Sequence, residues 1–128
     1  MKFSVNQIYS VSIQELNENW NPEIGLWGQP GPGHTFATRN EKVVHQGRYA
    51  ACRLLNAAFM QSLHAIDTKR ALGALRVLQN KTPGSETHGC MRWYAEDTHV
   101  DDTNAAFFTS LPLIILNHRF KGDLAAEE

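Results

Sequence analysis

Between Gly84 and Phe108 the chain reads GSETHGCMRWYAEDTHVDDTNAAFF, a polar stretch that gathers Glu86, Glu96, Asp97, Asp101 and Asp102 with His88, His99, Arg92, Trp93 and Tyr94. These are the residue types of acid–base chemistry on a polyhydroxylated substrate. One protonated and one ionised carboxyl group, about 5 to 9.5 Å apart across a glycosidic bond, can hydrolyse it. A histidine can instead remove a proton from the carbon next to a carboxylate. An arginine suits that carboxylate through a two-point hydrogen bond, and flat aromatic rings offer faces on which a sugar stacks. A loop this long with no regular structure is uncommon in a compact domain unless it has a function or is disordered. Its aromatic and sulfur residues argue against disorder.

Within the stretch, Glu96 and Asp97 are the better catalytic carboxylates. They are adjacent, so in an extended loop they point apart and only one faces a given ligand. Asp101 and Asp102 precede a helical pattern and compete for the role of N-cap, and Asp102 also counts as a ligand-binding candidate. His88 is the candidate base, with His99 on the other flank; the structural alternative is that each imidazole only braces its loop. Trp93, Tyr94 and Arg92 are the candidate substrate-binding residues. Trp27, in an earlier loop with Trp20, either joins them or plugs the core, since large aromatics dominate core energetics. Cys90 reads as structural rather than nucleophilic. The oxygen donors around Asp97 to Asn104 lack the spacing and central glycine of a calcium loop, so no metal is expected. Gly25, Gly28, Gly31 and Gly33 form no phosphate-binding pattern, and no cofactor is implied.

The 128 residues are 42% apolar and carry a formal charge of -1, which suits one globular domain. No basic stripe is present, so nucleic acid is not an expected partner. The longest apolar run, Leu111 to Leu116, is far shorter than the ~20 residues a membrane-spanning helix needs. The N-terminus has no apolar core of signal-peptide length. Cys52 and Cys90 form neither a disulfide framework nor zinc-ligand spacing, and a cytoplasmic location follows as the default. The closing LAAEE reads as the opening of another helix, as in a piece of something larger.

The elements that must position these residues are helices. Residues 3 to 13 alternate loosely, as in a short edge strand. Residues 17–39 are so punctuated by glycine and proline that they form a first long loop. Thr38 and Glu41 have the form of a capping box, which predicts a helix from there to about His64, apolar on nearly every side between Tyr49 and Met60. Arg39, His45 and Arg48 at its start form a polar patch that requires partners. Asp67 or Thr68 caps a second, amphipathic helix with Ala71, Leu72, Leu75 and Leu78 on one face. After a second long loop, residues 81–102, a third buried helix runs from Thr103 to about His118. Pro112 predicts a kink or a late start at Ser110, and Lys121-Gly122 a stop.

The resulting order alternates short and long connections, which makes helical hairpins whose two long loops gather at one end. This mainly α arrangement, over roughly residues 17 to 117, resembles part of an α/α toroid, the stacked-hairpin barrel of many glycoside hydrolases and polysaccharide lyases. The likeness rests on the loop rhythm, the Trp-rich first loop and the WYAEDTHVDDTNAAFF junction. It implies a carbohydrate ligand in a cleft between the two loops, with Glu96 or Asp97 and His88 as acid or base. It also implies either an N-terminal portion of a larger barrel or a cleft completed by a homo-oligomer. The reading from another class is a non-enzymatic helical interaction domain, with the aromatic loops and the LPLIIL helix as its interface.

Overall fold

The computed structural model describes residues 13–127. The edge strand expected over residues 3 to 13 lies outside these, except for Ile13, which is helical together with residues 14–17. The chain then makes two small antiparallel ladders. β1 (Trp20–Asn21) pairs with β2 (Leu26–Trp27), setting Trp20 opposite Trp27. β3 (Gln29–Pro30) pairs with β4 (Val43–Val44). Three helices follow: α1 (Gly47–Phe59), α2 (Thr68–Leu78) and α3 (Asn104–Glu127). The protein is mainly helical, with the short strands confined to the loop before α1.

α1 begins nine residues after the expected capping box at Thr38. Val43 and Val44 are β-branched, fit a pleated strand better than a helix, and find a partner in Gln29–Pro30. Thr38 instead closes a single 3-10 turn, Phe36–Thr38, in a reciprocal cap with Thr35. α1 buries Gly47, Ala50, Ala51, Leu54, Ala57 and Ala58, a stripe of mostly small residues that lets its neighbours approach. A methyl group on Gly47 would lie 2.6 Å from Leu78 Cδ1, so this glycine sets the distance between α1 and the end of α2. α2 starts as its sequence predicts: Asp67 accepts a hydrogen bond from the Arg70 amide, and Ala71, Ala74, Leu75 and Leu78 face inward.

α3 departs from expectation twice. It starts at Asn104 and runs through Pro112, which is buried, while the non-helical residue is Phe120, with φ -126° and ψ 27°. It is also not a buried helix. Ala105, Thr109, Pro112 and Leu116 form its buried face, whereas Phe107, Leu111 and Ile114 are 64%, 49% and 63% exposed. No helix among the described residues is long and apolar enough to cross a membrane.

The core sits between α1, α2, α3 and β2. Trp27, fully buried, donates its indole N–H to the Leu16 carbonyl at 2.6 Å, which satisfies its one polar atom.

Candidate functional site

The two long loops meet over the start of α1. The amide of Ala95 donates to the His45 carbonyl and that of Gly47 to the Trp93 carbonyl, so residues 93–95 run alongside residues 45–47. Gln46 and Tyr94 form the corresponding bridge. The second loop is anchored to α2 at its other side, where the Arg92 amide donates to Leu78 and Gln79 bridges Met91.

This register sends the adjacent Glu96 and Asp97 to different partners. Glu96 meets His45: Oε1 lies 2.6 Å from Nδ1, and Oε2 accepts the His45 backbone N–H at 3.2 Å. The His45 side chain is 9% exposed and that of Glu96 20%. Nε2 of the same imidazole lies 3.3 Å from Asn21 Nδ2. The direction of each bond follows from Asn21, whose Oδ1 already accepts the amides of Glu23 and Ile24 in the β1–β2 turn. The amide nitrogen must therefore be the end that faces His45, and an NH2 only donates. Nε2 is thus the acceptor and carries the lone pair, and Nδ1 holds the proton that goes to Glu96. The chain Asn21, His45, Glu96 fixes one tautomer of a neutral imidazole.

His45 and Asn21 line a groove of about 630 Å³ together with Trp20, Gly28, Gln29 and Lys42. Trp20 is half-buried, its ring held edge-on to Trp27 at 4.8 Å between centroids. Gly28 is a structural requirement of the groove. A methyl there would stand 3.0 Å from Val43 Cγ1 and 3.4 Å from Nε2, so the backbone at Gly28 passes in close contact with the imidazole. None of the lining residues is acidic.

The other candidates are committed elsewhere. Asp97 is 5% exposed; Oδ1 accepts the Thr35 hydroxyl at 2.6 Å and Oδ2 the Tyr94 amide at 3.0 Å. It is a loop brace: both oxygens are taken by loop donors, and it does not line the groove. Arg92 donates to the carbonyls of Asp97 and Val77, so its fork is used on backbone. Trp93, 8% exposed, donates to both oxygens of Asp102 and packs against His34 and Phe108. Asp102 also accepts the amides of Asn104 and Ala105, which makes it the cap of α3. Tyr94, 5% exposed, holds its hydroxyl 2.9 Å from His34 Nδ1. Trp27 is a core plug with no face for a ligand. His88 lies on the surface, 3.0 Å from the Thr82 carbonyl, and takes no part in the bonds around Glu96. His99 is likewise exposed, 3.1 Å from Asp101.

Of the sequence candidates, then, Trp20 lines the groove and Glu96 connects to it through His45, the residue of the helix-start patch that needed a partner. Asn21 carried no signal beyond lying in a loop, and Lys42 was expected in the first turns of a helix. Among the described residues no group of three or more His, Cys, Asp or Glu side chains is placed to hold a metal ion. No family model, curated protein or solved structure matches this chain.

Proposed function

We propose that the chain is a carbohydrate-active domain of the α/α-toroid kind that binds an acidic sugar in the Trp20 groove and acts on it as a polysaccharide lyase. The observation that carries the reading is the fixed polarity of Asn21, His45 and Glu96, which sets the Nε2 lone pair, held by the Asn21 amide, at the wall of a groove that also has an aromatic ring and a cation. Trp20 stacks a sugar ring. Lys42 neutralises the uronate carboxylate and the negative charge that grows on it during reaction.

The chemistry is a β-elimination. The substrate displaces the Asn21 amide from His45 Nε2, which then takes the proton from C5, next to the carboxylate; the C5–H electron pair becomes the C4=C5 double bond, and the C4–O4 bond breaks. The proton held on the imidazolium, or one from water, completes the leaving hydroxyl. Glu96 stabilises the imidazolium through Nδ1–H, as a carboxylate beside a catalytic imidazole does. Hydrolysis is the less supported branch, because it needs two carboxyl groups facing one bond. Asp97 is turned away and the groove lining has no acid.

The test is a panel of uronate-containing and neutral polysaccharides, read by the ultraviolet absorbance of the new unsaturated end and by reducing-end release. Elimination products from uronates, lost in His45→Ala and Glu96→Gln but with binding retained, support the proposal. Reducing ends without unsaturation would indicate hydrolysis instead, and no binding to any sugar would remove the carbohydrate reading altogether.

A further inference from the structure

Between α2 and α3 lies a second groove, about 320 Å³ in volume, that shares no residue with the Trp20 groove. Gly47 lies against Leu78 and Thr109, and the rings of Phe59 and Phe120 meet, so α3 runs parallel to α1 and α2 antiparallel to both. The core-facing stripes of α2 and α3 pack on α1. The residues one step round from those stripes become the two walls: Leu72 and Arg76 on α2, Ser110, Leu113 and Asn117 on α3. Leu75, Leu116 and Met91 are buried beneath them and make an apolar floor.

Arg76 is the charged side chain of this groove, and no acid lines it. The other arginines are engaged. Arg53, Arg70 and Arg92 donate to a phenol or to backbone carbonyls. Arg39, Arg48 and Arg119 lie over the rings of Phe36, Phe108 and Phe59. Among the described residues the Arg76 guanidinium has no hydrogen bond, no ion pair and no ring beneath it. Its donors are open to an anion, and the surface beside it is apolar.

We propose that this groove binds a straight-chain monocarboxylate of medium length, with the carboxylate on Arg76 and the chain over the leucines. A planar guanidinium gives a carboxylate two parallel hydrogen bonds, and Ser110 and Asn117 on the facing wall are further donors. One unpaired cation answers one negative charge. A cleft between two helices is long and narrow, which fits a flexible chain better than a fused ring system. Its volume stands at the small end of ligand sites, which suits about eight to ten carbons. The inference does not rest on the sugar reading, because the two grooves have no residue in common.

Titration calorimetry of the full chain with hexanoate, octanoate, decanoate, decanol and decylamine tests it, each below the concentration at which it forms micelles. The expected result is one decanoate per chain, with affinity rising about twofold for each methylene from hexanoate to decanoate, half of what full burial gives because the groove is open on one side. Decanol, with the same chain and no charge, should bind at least about tenfold more weakly. Arg76→Gln should weaken decanoate by the same factor, and Arg76→Glu should exchange the preference, taking decylamine in place of decanoate. Arg76 is exposed on α2, so the fold tolerates both changes, and circular dichroism checks this. Uronate oligosaccharides should leave decanoate binding unchanged. The proposal is overturned if no carboxylate binds saturably, if Arg76→Gln leaves decanoate affinity intact, or if decanol binds as well as decanoate. Uptake of many molecules per chain, the mark of detergent action, overturns it too.

Discussion

Thr35 and Asp97 are 62 positions apart in sequence and share a buried hydrogen bond of 2.6 Å. Thr35 has a single hydroxyl proton and gives it to Asp97, so the 2.7 Å contact between Thr35 and Thr38 has Thr38 as its donor. One carboxylate thereby holds the 3-10 turn of the first long loop and the Tyr94 amide of the second. Asp97→Ala would leave two buried donors unsatisfied and should cost about 3 kcal/mol of stability. Asp97→Asn, which keeps the shape and one acceptor, should cost less. Denaturant unfolding of the two variants measures this, and a loss of activity without loss of stability would mean that Asp97 touches substrate after all.

Trp93 and Trp20 should separate stability from binding. Trp93 is nearly buried and braced by Asp102, so Trp93→Ala should destabilise the fold by about 3 kcal/mol. Trp20 presents part of its ring to the groove, and Trp20→Ala should lower affinity for sugar oligomers with the smaller stability loss of the pair. Calorimetry of melting and of ligand titration gives both readings for each variant.

Gly28→Ala adds a single methyl group against the His45 imidazole. The expected outcome is a fall in turnover of at least about tenfold, as a misplaced base produces, with the melting temperature within a few degrees of the parent. Unimpaired turnover in this variant would place the proton acceptor elsewhere.

Thr109 on α3 is fully buried, and its hydroxyl has no hydrogen-bond partner among the described residues. Valine has the same branched shape without the polar atom. Thr109→Val should therefore stabilise the protein by about 1 kcal/mol, which for a domain of this size raises the melting temperature by about 4 °C. A decrease would show that the hydroxyl is bonded in solution.

What could be read from the sequence was what local chemistry decides. The Asp67 cap, the inward face of α2 and the capping role of Asp102 follow from residues within a few positions of one another. The start of α1 did not, because the Thr38–Glu41 pattern is overridden by a strand partner more than ten residues upstream. Pro112 was misleading for a related reason. Its place on the buried face of α3 lets packing hold the helix through it, and the irregularity falls instead at Phe120. At the site, the patch around His45 announced a missing partner and the acidic loop announced a surplus of carboxylates. Only the register between residues 45–47 and 93–95 decides that Glu96 joins His45 and that Asp97 does not.

That register has a kinetic meaning. The bonds that clasp the two long loops together join residues roughly fifty to sixty positions apart, whereas α1 and α2 are neighbours across a short connection. Closing a long loop costs chain entropy before any contact repays it, so the helical hairpin can form early and the clasp between the loops must form late. The His45–Glu96 pair is then a report on completed folding: a chain that has its helices but not its clasp has His45 without the carboxylate that fixes its proton.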